Sequence, residues 1–249
     1  MRRGIWIPLA LAAIACGDSP GKAWLVDRPR VLGARVEGSE VSWLVTTPAG
    51  PRRFGWAFAT CTAPAGNYAP PRCEAAIAGS GSGTSDGDEV KMNVGALPEP
   101  GLVLAAFCEG DAPASFDPRS FGATCASGAE PLLASVKSPA PANRNPAIAG
   151  DAVTVPPGCV QPEGPEEHLG FRFEDAQREQ GEALLLGMFV TGGELDRTYE
   201  YLEAFEPAPK AVSVAWKPPA SEGDVRVFFV LRDGRGGTSF VIRTVCVRR

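Results

Sequence analysis

The chain has little of the chemistry that several common kinds of site require. Its single histidine, His168, would have to serve any Ser-His-Asp triad, yet it lies in an alternating segment where a partly exposed strand position is expected. None of the seven cysteines forms a CxxC pair, so a structural zinc site is not indicated. The formal net charge is -5 without a basic stripe, which gives nucleic acid no electrostatic footprint. We predict no cofactor, no metal and no nucleic-acid partner.

Long hydrophobic runs are absent after residue 15, and the residues before that point are typical of an export signal. Arg2 and Arg3 form a charged start, and residues 4–15 form an apolar stretch. That stretch is shorter than the roughly 20 residues that a transmembrane helix needs. Small residues follow it, as at a signal-peptide cleavage site. The sequence therefore predicts export rather than a membrane-spanning helix.

The stretch from Ala13 to Cys16 resembles the lipobox of bacterial lipoproteins, with alanine in place of the usual leucine at its first position. In that family the leader is cleaved before the cysteine, which then carries acyl chains. The resemblance implies a signal peptide at 1–15, a lipidated Cys16 and a tether at 16–23. Several acyl chains anchor a protein stably, whereas one chain binds marginally. In that family an aspartate directly after the cysteine favours retention in the inner membrane, so the resemblance, with Gly17 at that position, implies the outer membrane. An ordinary secreted leader with a spare cysteine is the alternative.

The remaining six cysteines are typical of three disulfides in an exported protein. Cys61 and Cys108 end strands expected to be antiparallel neighbours, which places them at opposite ends of a sandwich and too far apart to bond. Spacing and topology favour two loop-closing pairs and one pair between the first and last strands of the second half. These pairs are Cys61–Cys73, Cys108–Cys125 and Cys159–Cys246. Six reduced, buried thiols are the alternative, which the export signal disfavours.

Proline and glycine are abundant, at 24 and 29 residues, which favours short strands and many turns over long helices. Apolar segments typical of strands recur along both halves without helical crossovers between them. They include 30–36, 40–45, 53–61, 89–96, 102–108, 132–136, 168–173, 184–190, 212–216, 225–231 and 240–247. We therefore predict an all-β fold of two tandem antiparallel β-sandwich (immunoglobulin-like) domains.

The segments between the strands set the predicted domain boundaries. Residues 139–147 are rich in proline and are predicted to be a semi-stiff linker between sandwiches at 24–138 and 148–249. Residues 62–88 and 109–130 are predicted to be long irregular connections. The glycine–serine run in the first of these connections is predicted to be a flexible linker rather than a phosphate-binding loop, because no helix follows it.

Most of the chain after the leader is similar to uncharacterised cell-envelope lipoproteins of Gram-negative bacteria. The resemblance rests on four segments, at 24–32, 189–196, 216–219 and 230–237. It implies tandem immunoglobulin-like domains, and it brings no activity or catalytic residue with it.

Candidate ligand contacts lie in two segments of the second half. They are Arg232, Asp233, Arg235, Tyr199 and Tyr201. The first three belong to a predicted hairpin tip, where the aspartate bonds its own backbone and the exposed arginines could meet a ligand. The two tyrosines, with Phe205 nearby, either cover the edge of the core, which the pattern favours, or form a contact surface.

Acidic residues provide two further candidates. The three acids within 86–89 offer oxygen ligands for calcium but lack the spacing of an EF-hand. The three acids within 200–206 could supply a carboxylate pair for glycoside hydrolysis, although acids so spaced more often form a solvated face. We predict neither a metal ligand nor a catalytic residue among them.

Together these features predict a non-enzymatic lipoprotein of the cell envelope, anchored by its lipid and located in the outer membrane. Its disulfide-stapled sandwiches would present loops to a protein or glycan partner. The alternative is a secreted hydrolase, or a carbohydrate-binding accessory module, that uses loop carboxylates. A structural envelope component without a discrete ligand is a third possibility.

Overall fold

The computed structural model describes residues 22–64, 71–74, 76–138, 143–174, 177–179 and 182–249. The predicted signal peptide, the predicted lipidation site Cys16 and most of the predicted tether lie outside these residues. Within them the fold is all-β, with 17 strands and no α-helix. The described part of the chain accordingly holds no helix that is long and apolar enough to cross a membrane.

The first half of the chain forms a sandwich of two antiparallel sheets. One sheet has the order β1-β2-β5 and the other the order β4-β3-β6-β9, while β7 and β8 pair as a separate hairpin. The strands are β1 (Arg30–Glu37), β2 (Glu40–Thr46), β3 (Arg53–Thr62), β4 (Gly79–Asp86), β5 (Glu89–Asn93), β6 (Gly101–Glu109), β7 (Ser115–Asp117), β8 (Gly122–Thr124) and β9 (Leu132–Lys137). Alternation within these strands directs apolar side chains between the sheets, where Trp43 packs edge-to-face on Phe107 with ring centroids 5.7 Å apart.

Strand β4 lies where the sequence predicted a flexible glycine–serine linker, so that prediction was wrong. Its glycines face the core, and two of them lie under aromatic rings of β3. A Cβ on Gly81 would approach the Phe58 ring to 2.7 Å, and a Cβ on Gly83 would approach the Trp56 ring to 2.6 Å. Because the rings supply the apolar contact that glycine lacks, an otherwise poor strand sequence is held in the sheet.

Two disulfides hold the long loops of this sandwich against the outer face of the larger sheet. Cys61–Cys73 joins Cα atoms 5.7 Å apart, and Cys108–Cys125 joins Cα atoms 5.6 Å apart. These are pairs that the spacing favoured. Cys61 faces Leu102 and Cys108 faces Gly55 in the β3–β6 ladder, so the two strand-end cysteines do lie at opposite ends.

The stapled loops form a cover over the sheet instead of projecting from it. Phe116 and Phe121 pack on the small apolar cluster around the first disulfide. Gly55 lets the loop after β6 approach closely, since a Cβ there would lie 1.9 Å from the carbonyl carbon of Asp111. The cover explains why β6 is buried on both faces, as its continuous apolar sequence predicted.

The second half forms a second sandwich, with sheets of order β10-β11-β15-β13 and β14-β12-β16-β17. The strands are β10 (Val153–Thr154), β11 (Glu167–Phe173), β12 (Leu184–Val190), β13 (Glu194–Leu195), β14 (Tyr199–Leu202), β15 (Lys210–Lys217), β16 (Gly223–Arg232) and β17 (Thr238–Val247). Phe171, Phe229 and Trp216 are buried in its core.

Both ends of the described chain are fastened to this second sandwich. Cys159–Cys246 joins Cα atoms 4.5 Å apart, beside a parallel bridge between Val160 and Val247. At the other end, residues 24–26 extend the edge of β12. The amide of Val26 donates to the carbonyl of Val190 at 2.8 Å, and the Val190 amide donates to the carbonyl of Trp24 at 2.9 Å.

The two sandwiches pack on each other through a third apolar cluster. Leu32 and Leu44, from the outer face of the β1-β2-β5 sheet, meet Phe228 and Val230 of β16 together with Phe189 of β12. All five side chains are at least nine-tenths buried. This contact leaves the hairpin end of β16 beside β1 and β9, and that placement produces the groove described below.

Candidate functional site

A buried ion pair fixes the two sandwiches to each other. The Arg226 guanidinium of β16 donates to the Asp88 carboxylate and to the Thr47 carbonyl, both in the first sandwich. Both charged side chains are only 9% exposed. The Asp88 carboxylate is therefore already paired with an arginine. No group of acids, histidines or cysteines suited to a metal ion occurs among the described residues.

The predicted hairpin tip is present between β16 and β17, and its aspartate does bond its own backbone. The Asp233 carboxylate accepts hydrogen bonds from the amides of Arg235 and Gly237, both at 2.8 Å, and from the side-chain amide of Asn143 at 2.7 Å. Arg235 pairs with Glu179 and Glu182. Asp233 and Arg235 thus stabilise the hairpin and its surroundings, and their charges already have partners.

Arg232 differs from the exposed tip residue that the sequence predicted. It is the last residue of β16, is partly buried, and donates from Nη2 to the carbonyl of Leu32 at 2.5 Å. Burial lowers the pKa of Arg232, an effect that the nearby Tyr199 partly offsets. Within the described residues no carboxylate pairs with this guanidinium.

A groove, which we call the seam groove, opens between the edge strands β1 and β9 and is closed at one side by the β16–β17 hairpin. Its central part has a volume of about 460 Å³ and is lined by residues 31–34, residues 133–137, Arg232 and Thr238, among others. A further hollow of about 540 Å³ shares Val31 and Leu133 with it and continues toward the start of β1. The groove is therefore elongated and runs along β9.

The tyrosines and Phe205 form a second exposed feature, the aromatic edge, at strand β14. Tyr199 and Tyr201 pair with Gly187 and Leu185 on the outer face of the sheet and are 46% and 52% exposed. Phe205, in the turn that follows, is 97% exposed. The prediction that these aromatics cover the edge of the core is wrong for Phe205, because the alternation of β14 gives that role to Leu202, which is fully buried.

The turn that carries Phe205 is held in place on both sides. Arg178 donates to the carbonyls of Glu203 and Glu206 at 2.9 and 2.7 Å. Lys210 bonds the Glu206 carboxylate at 2.9 Å and donates to the carbonyl of Tyr201 at 2.7 Å. The hydrogen bond from Lys210 holds the pKa of the Glu206 carboxyl below its ordinary value.

Two of the three acids within 200–206, on which the hydrolytic alternative depends, are paired with cations. Glu206 bonds Lys210, and Glu200, with a side chain 14% exposed, pairs with Arg197 at 2.5 Å. His168 is exposed on β11, opposite Ala215.

Sequence reasoning missed the seam groove, including Leu133 and Lys137 on β9. Its walls come from three segments about a hundred residues apart along the chain, and packing between the sandwiches brings them together. The alternation of β9 marked a strand, but it gave no signal that one edge of the strand would border a groove.

Comparisons with known proteins identify no family for this chain. No family model and no curated protein matches it. Solved structures that align include a red sea bream transglutaminase, with 12% identity, 90% of this chain and 32% of that chain covered, and a TM-score of 0.32. A β-glucuronidase of glycoside hydrolase family 2 (10% identity, 92% and 21% coverage, TM-score 0.28) and a family 2 member from Bacteroides cellulosilyticus (9%, 90% and 24%, TM-score 0.26) align similarly. The chain spans about a third or less of these proteins, and at such scores they carry no argument about its function.

Proposed function

We propose that the protein is a non-enzymatic lipoprotein of the outer membrane that binds a protein or glycan partner through the aromatic edge. The lipid on Cys16 would hold it at the membrane, and the tandem sandwiches would hold the binding surface in a fixed geometry. The observation that carries the binding function is Phe205, which is 97% exposed on a turn held by Arg178 and Lys210.

The exposure of Phe205 has a cost in folding free energy. Full burial of a phenylalanine side chain is worth about 1.5–3 kcal/mol, a contribution that the free chain forgoes here. A mobile loop could move as a whole and cover the ring, whereas the hydrogen bonds from Arg178 and Lys210 restrain the backbone of this turn. With Glu206 neutralised by Lys210, the ring and the two half-exposed tyrosines offer the kind of surface at which aromatic residues dominate binding.

The experiment is photocrosslinking in the native host from a photoreactive phenylalanine analogue at position 205. The matched control carries the same analogue at Ile77, an apolar side chain 44% exposed on the first sandwich. We expect one discrete adduct from position 205 and none from position 77, with sensitivity of the adduct to protease or to glycosidase identifying its class. Equal crosslinking from both positions, or none from position 205, would refute the binding role of the aromatic edge.

The second candidate function is a carbohydrate-binding accessory module, which the exposure of Tyr199 and Tyr201 favours, since aromatic rings stack on sugar faces. Its test is retention of the protein on insoluble polysaccharide. Loss of retention in Tyr201→Ala, together with a glycosidase-sensitive adduct from position 205, would select this function over protein binding.

A further inference from the structure

We propose that the seam groove is a second binding site and that it takes an extended peptide with a free C-terminal carboxylate held by Arg232 and Lys137. The inference rests on the charges of the groove, on the free edge of β9 and on its shape.

The charges of the central groove are of one sign. Lys137 and Arg232 line it, and no described acidic side chain does so. This stands out in a chain whose formal net charge is -5. Neither cation has an ion pair with a described residue, whereas the next arginine along the hairpin, Arg235, has two.

Arg232 is equipped to hold a carboxylate. Its guanidinium has five N–H donors in a planar fork, and one protein acceptor, the Leu32 carbonyl, is found for them in the described structure. Burial lowers the pKa of Arg232, which means that its charge is poorly solvated and gains from an anionic partner. The carboxylate nearest in sequence, that of Asp233, is occupied by two backbone amides and by Asn143.

The body of the groove suits a polypeptide better than a purely apolar chain. β9 is hydrogen-bonded to β6 along one edge, and within the described residues no strand pairs with its other edge. Edge strands of this kind accept extended peptides through main-chain hydrogen bonds. Apolar side chains such as Val31 and Leu133 and polar groups such as Ser135 both line the walls. The main chain of a peptide could form hydrogen bonds with these polar groups, whereas an acyl chain would leave them without partners.

The length of the groove fits several residues in an extended conformation. The central part and the adjoining hollow, of about 460 and 540 Å³, share Val31 and Leu133 and continue to Arg28 and Glu130. A peptide whose carboxylate lies at Arg232 would therefore run back along β9 toward that end, where a residue of each charge is available for its upstream side chains.

The test uses the mature full-length protein in detergent micelles and nitrogen-15 TROSY spectra. The probes are a pool of N-acetylated random pentapeptides with free carboxylates, the same pool with C-terminal amides, and hexanoate. We expect the free-carboxylate pool to shift the signals of β9 and of the Arg232 side chain, with the amide pool weaker by about tenfold or more. Equal effects from the two pools, no effect from either, or hexanoate as effective as the peptides would overturn the proposal.

Variants on the exposed side of the groove keep the test independent of folding. Lys137→Glu places a carboxylate in the groove at an exposed position, and we expect it to weaken the response to the free-carboxylate pool by about tenfold or more. Lys91→Glu makes the same charge change at an exposed position of β5, outside the groove; it is the matched control and should bind as the unchanged protein does. Arg232→Lys keeps the charge but loses the fork, so we expect an intermediate response. An unaltered response of Lys137→Glu would refute the assignment, whatever the outcome at Phe205.

Discussion

Substitution of one partner in the ion pair between the sandwiches should destabilise the protein far more than a surface ion pair would. Asp88→Asn leaves the Arg226 charge in a site where its side chain is 9% exposed. Arg226→Met leaves the aspartate in the same position and also removes the donor to the Thr47 carbonyl. Each change therefore leaves one buried charged group at the interface without its partner.

The magnitude follows from burial. Removing one partner of a buried pair costs about 3–5 kcal/mol, because the remaining charge is uncompensated, whereas an exposed pair contributes about 0–1 kcal/mol. The double variant removes both charges, so its cost should fall short of the sum of the single costs by about 2 kcal/mol or more. The exposed pair of Arg72 with Glu74, with side chains 52% and 56% exposed, provides the control Arg72→Met.

The assay is urea unfolding with disulfides intact, followed by tryptophan fluorescence. Trp43 and Trp216 are fully buried in the first and second sandwich, so both halves report on the transition. We expect Arg72→Met to change the free energy of unfolding by less than about 1 kcal/mol. A similarly small change in Asp88→Asn, or additive costs in the double variant, would refute the packing of the sandwiches described above.

Two further predictions concern the stapled architecture. Replacing Cys159 and Cys246 with alanine removes a disulfide with a sequence separation of 87 and should lower the free energy of unfolding by about 4–5 kcal/mol. The same change at Cys61 and Cys73, with a separation of 12, should lower it by about 3 kcal/mol. Thermal unfolding that ranks the two variants in the reverse order would contradict this prediction. Gly55→Ala should cost about 1–3 kcal/mol and speed proteolysis of the loop after β6, because the new Cβ would overlap the backbone of Asp111. Gly158→Ala, where no atom lies within 4 Å of the added Cβ, is its control, and equal stability of the two variants would argue against the loop cover.

Much of the fold could be predicted because strand periodicity is local. The alternation of β5 and β11 and the continuous apolar run of β6 each reflect which faces are buried. Strand β4 escaped prediction because glycine and serine have no strand preference of their own. The rings of Trp56 and Phe58 that hold it lie more than 20 residues earlier in the chain.

The candidate sites could be predicted only in part, for a related reason. Tyr199 and Tyr201 were recognised as candidates from residue type, but their exposure depends on which face of β14 meets the core. Arg232 was recognised as part of a hairpin, yet its burial depends on β1 of the other sandwich. Contacts between the sandwiches follow no sequence period, so neither the seam groove nor the Arg226–Asp88 pair has a local signal.

The proposed function depends most directly on one cysteine carrying lipid while the other six form disulfides. Intact-mass analysis of the protein purified from native membranes, with and without reduction, measures both. We expect a chain that begins at Cys16 and carries acyl groups, and a gain of six hydrogens on reduction from the three disulfides. An unmodified Cys16, or a different gain on reduction, would contradict the account.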